Sequence, residues 1–131
     1  IKVAFQPPER FTVPMRGLIF LCTPGMAPWV YAAKQRPSYL EQPLYHAPLY
    51  NVFQSGQSCP GTHKFSLNID EIPEEFFASF FTLVEGRNRS LGYESVEDLW
   101  KAIDGQTKYP LNDLALYGKV ENLVSGRKVS F

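Results

Sequence analysis

The sequence predicts an α+β fold in which an antiparallel β-meander is followed by helices, within one domain over residues 1–131. Nine of the 11 prolines lie at or before Pro60. Each proline removes a backbone donor and clashes with the preceding helical turn, so the first half is expected to be sheet and loop. The second half carries apolar residues at spacings of three and four, which is typical of amphipathic helices.

Three strands are predicted before residue 35 from runs of β-branched and aromatic residues. They are Phe11–Val13, Leu18–Thr23 and Trp29–Lys34. The last two are separated by only five residues, which leaves no room for the crossover that a parallel pair needs. They are therefore expected to be antiparallel neighbours. Lys2–Phe5 is a candidate edge strand, because Pro7-Pro8 follows it and disfavours a sheet interior.

The first predicted helix carries a stripe of phenylalanines. It begins at Pro73, a residue that suits the first helical position, and ends near Gly86. The stripe consists of Phe76, Phe77, Phe80 and Phe81. It is expected to face the sheet, since it would otherwise leave an apolar patch in water.

A second helix of about ten residues is predicted from its two ends. Ser95 and Asp98 resemble a capping box before the apolar residues of the helix. Gly105 is placed as a C-terminal stop. From Tyr109 to Phe131 the periodicity is weak and predicts a short helix and a hairpin around Ser125-Gly126.

Composition excludes several classes of protein. The 13 basic and 13 acidic side chains cancel and are spread along the chain, so no nucleic-acid surface is expected. The longest apolar run, Leu18–Cys22, is far shorter than the ~20 residues of a membrane-spanning helix, so no membrane association is expected.

Two cysteines 37 positions apart fit a reducing compartment, and we expect a cytoplasmic protein. The chain starts at Ile1 without a visible signal peptide, and an N-terminal segment is expected to be lacking.

The segment of residues 44–63, LYHAPLYNVFQSGQSCPGTH, concentrates the candidate catalytic side chains. Cys59 precedes Pro60-Gly61 and is therefore predicted at a strand end or in a loop, where a thiolate is accessible. His46 is predicted to be a structural, hydrogen-bonding residue of this loop. His63 is predicted either to tune Cys59 or to be solvated.

Two other chemistries use the same residue types. The possible zinc ligands are Cys22, His46, Cys59 and His63. The chain has no Cys-x-x-Cys pair, and this segment has no carboxylates that could orient histidine ligands, so no metal is predicted. Cys22 ends an apolar run and is predicted to be a small buried residue.

A cysteine hydrolase would need a histidine within about 3.5 Å of the Cys59 sulfur and an orienting carboxylate, for which Asp70 is the nearby candidate.

The spacing of Asn51, Gly56 and Cys59, N-V-F-Q-S-G-Q-S-C, resembles the active-site signature of ubiquitin-conjugating enzymes. In that signature, His-Pro-Asn is followed by a hydrophobic residue, a turn with Gly, and the thioester-forming Cys at the same interval. This chain departs from it in having Leu49-Tyr50 in place of His-Pro. A His-x-Pro occurs earlier, as His46-Ala47-Pro48.

With the later phrases FFASFFT and KYPLNDL, the chain resembles prokaryotic family D of these enzymes, known as protein B of PRTRC gene clusters. The resemblance runs from about Phe11 to Leu114. It implies the UBC fold, with the cysteine on the loop between sheet and helix. It also implies that a ThiF-type activating enzyme delivers a ubiquitin-like protein to Cys59 as a thioester, which then passes to an amine. No cofactor is implied, and a JAB-type peptidase of the same gene cluster is a further candidate partner.

Asn51 has more than one possible role. In the resemblance, its side-chain amide either stabilises the oxyanion or braces the loop. From its residue type alone, it is equally a turn residue that bonds its own backbone. The eight-residue interval brings Asn51 and Cys59 together only if Gln54–Gly56 reverses the chain.

The main alternative function is a catalytically silent binding module of the same fold. The presence of both Asn51 and Cys59 favours the enzyme, since a silent relative has no chemical need of that pair. In either case Cys59 is expected on the irregular segment before the Pro73 helix, with its sulfur accessible to solvent.

Overall fold

A computed structural model of the protein describes residues 2–3, 9–10, 17–49, 51–58, 64–78 and 90–123. Its strands and helices are β1 (Lys2–Val3), β2 (Glu9–Arg10), β3 (Leu18–Leu21), β4 (Trp29–Ala32), β5 (Pro43–His46), α1 (Ile72–Ala78), α2 (Val96–Ile103) and β6 (Leu116–Lys119). Short 3-10 helices span Ile69–Glu71, Leu111–Asp113 and Val120–Leu123. Within these ranges, no helix has the length and apolar character needed to cross a membrane.

The main sheet is antiparallel and has four strands in the order β3-β4-β5-β6. Leu18 pairs with Ala32 and Leu21 with Trp29, which confirms the predicted hairpin with slightly shorter strands. Strand β5 continues the meander on the other side of β4. An α+β architecture with an antiparallel meander is therefore present.

Strand β6 corrects the expectation that strands come first and helices last. It follows both helices in the chain and pairs with β5, with Leu44 opposite Gly118. Its sequence LYGK is short and contains a glycine, which weakens a strand and its local signal. Pairing with β5, a partner distant in sequence, decides its conformation.

The N-terminal strand Lys2–Val3 pairs with Glu9–Arg10 in a separate two-stranded antiparallel sheet. Of the candidate strand Lys2–Phe5, the described residues Lys2–Val3 form an edge strand, and their partner lies beyond Pro7-Pro8 in the sequence. The predicted strand Phe11–Val13 and the predicted hairpin around Ser125-Gly126 lie outside the described residues.

The start of α1 confirms the predicted orientation of the phenylalanine stripe. Phe76 is fully buried, and its ring lies 5.6 Å from that of Phe20 on β3. Phe77 lies 5.8 Å from the same ring. Phe80, Phe81 and the predicted helix end near Gly86 are outside the described part of the chain.

Helix α2 has the predicted cap and stop. The Ser95 hydroxyl accepts a hydrogen bond from the Asp98 backbone N–H at 3.2 Å, and Ser95 itself is extended. Gly105 follows the helix with φ +78°, a conformation that glycine adopts at low cost. The helix has eight residues, slightly fewer than expected.

The helices and one sheet face enclose the larger of two apolar clusters found among the described residues. It consists of Val30, Ala47, Leu49, Val52, Phe65, Ile72, Phe76, Val96, Leu99, Trp100 and Ile103. The Trp100 indole donates a hydrogen bond of 2.8 Å to the backbone oxygen of Pro48, which ties α2 to the segment after β5. Cys22 packs against the cluster as a half-buried free thiol, so the expectation of a buried residue is only partly met. Burial raises the pKa of this thiol.

We expect Trp100→Phe to lower the free energy of unfolding by at least about 1–3 kcal/mol, because the buried Pro48 oxygen loses its partner. Chemical denaturation measures this change. Trp29→Phe is the matched control, since Trp29 is half-buried on β4. An equal or larger loss in the control would contradict the importance of the Trp100 hydrogen bond.

We expect the protein to lose stability as pH rises above about 10, the ordinary pKa of tyrosine. Burial, followed by the nearby charge of Asp113, raises the pKa of Tyr109 in the folded protein. The unfolded chain releases this proton at lower pH, so alkaline conditions favour unfolding. Tyr109→Phe should make the melting temperature fall less steeply between pH 9 and 11, because it removes about one of the protons that the unfolded chain releases. An unchanged dependence of the melting temperature on pH would contradict the role of Tyr109.

Candidate functional site

Residues 51–58 form a tight reversal of the chain. Val52 pairs antiparallel with Ser58. Inside this pair, the Phe53 N–H donates to the Gln57 oxygen at 2.8 Å and the Gly56 N–H donates to the Phe53 oxygen at 2.9 Å. We name residues 51–58 the Asn51 turn. The predicted reversal of the chain at Gln54–Gly56 is confirmed.

The Asn51 turn is attached to the sheet at the start of β4. The Val30 N–H donates to the Gly56 oxygen at 2.7 Å, and Trp29 pairs with Gln57. At the end of the turn, the Ser58 N–H donates to the Pro28 oxygen at 3.1 Å. The Ser58 hydroxyl donates to the same oxygen. The turn thus takes the place beside β4 that β5 leaves after His46.

Asn51 is buried at the first position of this turn, with 3% of its surface exposed. Among the described residues, no donor lies within hydrogen-bond distance of its side-chain oxygen Oδ1. The Phe53 N–H, two residues on, would close a turn onto Asn51, but it donates to Gln57. Among the described residues, Oδ1 therefore does not accept from its own turn, and the interpretation of Asn51 as a residue that bonds its own backbone stays a prediction.

Three rings from three neighbouring strands contact each other beside the Asn51 turn. They are Tyr31 on β4, His46 on β5 and Tyr117 on β6, and we name them the aromatic seat. The ring centroids of Tyr31 and Tyr117 are 4.8 Å apart, and those of His46 and Tyr117 are 5.3 Å apart. Tyr31 and His46 are directly paired across the strands. The aromatic seat therefore forms one continuous surface.

The aromatic seat makes polar contacts with the turn. The Tyr31 hydroxyl donates to the Ser55 backbone oxygen at 2.8 Å. His46 Nε2 lies 3.3 Å from the side-chain nitrogen of Gln54. Burial, and after it the hydrogen bond and charge of Tyr117, raise the pKa of Tyr31 above the ordinary value of tyrosine.

The structure places two of the four predicted site residues. Asn51 and His46 both lie at the turn, whereas Cys59 and His63 lie outside the described residues. Asp70, the carboxylate considered for a hydrolase, is exposed in the 3-10 helix before α1. The catalytic assignments of these residues stay predictions.

The described residues offer no cluster of side chains that could bind a metal ion. In those ranges, no three His, Cys, Asp or Glu side chains converge as ligands. A surface cavity of about 340 Å³ lies at the far end of β4, between Lys34 and Lys108. Its lining contains no residue of the Asn51 turn.

Sequence reasoning missed Tyr31, Tyr117 and Ser58. Tyr31 belongs to an alternating strand pattern that reveals its strand but not its neighbours. Tyr117 lies on β6, which has little local signal. A strand register is needed to bring such residues together, and one sequence does not contain it.

Comparison with models of protein families gives a match over most of the chain. The family model for prokaryotic E2 family D matches residues 2–116. The matched range contains strands β1–β5, both helices and the Asn51 turn. The chain has no match among the curated proteins or the solved structures. The extent of the family match shows that this chain belongs to prokaryotic E2 family D.

Proposed function

We propose that the protein is a ubiquitin-conjugating-like transferase that carries a ubiquitin-like protein as a thioester on Cys59. A ThiF-type activating enzyme supplies the modifier, and an amine receives it. The observation that carries the proposal is the antiparallel pair of Val52 and Ser58. This pair closes the Asn51 turn immediately before Cys59.

The register of this pair supports a meeting of Asn51 with Cys59. In an antiparallel ladder, the residue before one partner faces the residue after the other. Continued by one residue, the pairing of Val52 with Ser58 would put Asn51 opposite Cys59. Cross-strand neighbours of this kind have Cβ atoms about 4.5–5.5 Å apart, close enough for an amide to reach a group on the sulfur.

The proposed reaction has two acyl transfers. In the first, the Cys59 thiolate attacks the carbonyl carbon of the modifier, which the activating enzyme holds as a thioester; the C–S bond to that enzyme breaks, and its thiolate leaves. In the second, an amine nitrogen attacks the thioester carbon, the C–S bond breaks, and an amide forms as the amine loses a proton. Thiolates are strong nucleophiles, and thioesters stay reactive toward amines, so a cysteine suits both steps.

Asn51 has the groups needed for either proposed role. Its side-chain NH₂ can donate to the oxyanion of the tetrahedral intermediate. Its Oδ1 can accept a backbone N–H and thereby brace the cysteine segment. A buried carbonyl without a donor costs about 1–3 kcal/mol, so the unpartnered Oδ1 among the described residues supports a partner from the site itself.

A reducing cytoplasm is the proposed compartment. Cys22 is a free thiol packed against the core. A reducing environment would keep Cys59 available for acylation as well. We also propose a JAB-type peptidase of the same gene cluster as a partner, because the chain resembles protein B of PRTRC gene clusters.

The nucleophile is tested by incubation with the ThiF-type activating enzyme, its ubiquitin-like protein and ATP, followed by non-reducing electrophoresis. We expect Cys59→Ser to abolish the thiol-sensitive adduct while the protein stays folded. Cys22→Ser is the matched control. It should cost on the order of 1–3 kcal/mol of stability and still form the adduct.

The opposite pattern, in which folded Cys22→Ser fails to charge and Cys59→Ser charges, would show that the nucleophile is misassigned. An unmodified chain that binds the modifier but forms no adduct would instead support the silent binding module.

The role of Asn51 is tested by separating charging from discharge. If Asn51 stabilises the oxyanion, Asn51→Ala should slow transfer to a free amine by roughly 10²–10³-fold, with charging less affected. If it braces the loop, the melting temperature should fall and both steps should slow together. Single-turnover discharge and thermal melting distinguish these results, and rates equal to the parent's would remove Asn51 from the site.

A further inference from the structure

We propose that Tyr31 is a positioning residue that holds the Asn51 turn in one conformation. This inference rests on the proposed function, since it concerns the same site. Tyr31 lies on β4 and acts on the turn through two separate contacts: a hydrogen bond from its hydroxyl and a packing contact from its ring.

The hydrogen bond fixes the tip of the turn. Tyr31 is 2% exposed, yet its hydroxyl reaches the backbone oxygen of Ser55, an exposed residue 24 positions later. A loop tip normally satisfies its carbonyls with water. Here a buried donor fixes the Ser55 carbonyl instead.

The ring contact fixes the next residue of the turn. Gly56 has φ +95°, and a Cβ built on it would lie 2.4 Å from two ring carbons of Tyr31. The glycine backbone is therefore pressed against the ring. The Gly56 oxygen also accepts from the N–H of Val30, the residue before Tyr31. One short stretch of β4 thus holds the turn from both backbone and side chain.

Tyr31 is itself held rigidly. It pairs with Ile19 on β3 and with His46 on β5, so β4 has a partner strand on each side at this point. Its ring also contacts Tyr117 of β6. A group on a rigid central strand places a catalytic loop more accurately than contacts within the loop, and small misplacements of reacting groups reduce rates strongly.

The test compares Tyr31→Phe with Tyr45→Phe. Tyr31→Phe removes the hydroxyl and retains the ring, while Tyr45 is a half-buried tyrosine on the neighbouring strand β5. We expect Tyr31→Phe to reduce kcat for discharge to a free amine by roughly tenfold, with the KM for the amine and the melting temperature close to the parent's. Tyr45→Phe should leave kcat unchanged.

Hydrogen–deuterium exchange gives a readout that does not depend on activity. Tyr31→Phe should increase exchange at the amides of Phe53, Gly56 and Ser58, and Tyr45→Phe should not. If the parent protein never charges, the proposed function fails, and exchange still tests whether Tyr31 holds the turn. If the parent charges and Tyr31→Phe matches it in kcat, the positioning role of Tyr31 is overturned.

A second variant tests the ring contact from the side of the turn. Gly56→Ala forces a methyl group into the Tyr31 ring and should slow discharge more than Tyr31→Phe does. Adding Tyr31→Leu makes space and should recover part of that loss, although strain at the positive φ remains. Additive effects of the two substitutions in a folded double variant would contradict a direct contact.

Discussion

The hydrogen bond from the Trp100 indole to the Pro48 oxygen is the contact on which the candidate site depends. It joins α2 to the segment after β5 across 52 positions of sequence. Both partners lie in the buried region, and a carbonyl in such surroundings must be paired. The large indole also belongs to the apolar cluster in which Leu49 is fully buried. The backbone before Asn51 is therefore held in place at Pro48 and Leu49.

The far end of the Asn51 turn is fixed by a different kind of contact. Ser58 bonds the Pro28 oxygen through both its N–H and its hydroxyl, and Gly56 bonds Val30. The turn is thus held by the apolar core where it begins and by the edge of the β4 backbone where it ends. Residues 53–55 at the tip of the turn are exposed between these attachments. Attachment to the sheet holds the turn in a defined conformation, while the exposed residues of the turn remain accessible.

Local sequence signals predicted the parts of the fold that local interactions determine. The β3–β4 hairpin, the Ser95 cap and the Gly56 reversal each depend on residues a few positions apart. Strand β6 was beyond such signals, because it is defined by pairing with β5, more than 70 positions earlier in the chain. The aromatic seat is equally non-local. Tyr31 and His46 become neighbours only through a strand register that the core selects.

The departure from the ubiquitin-conjugating signature before Asn51 has a structural explanation. Leu49 stands where that signature has histidine, and its side chain is fully buried in the apolar cluster. An imidazole there would need a buried hydrogen-bond partner, and leucine avoids that cost. Polar support for the turn comes instead from His46, three positions earlier, whose Nε2 lies beside Gln54, and from the Tyr31 hydroxyl on Ser55. In this chain, the polar side-chain contacts with the turn thus come from strands β4 and β5 and not from position 49, while the interval from Asn51 to Cys59 is that of the signature.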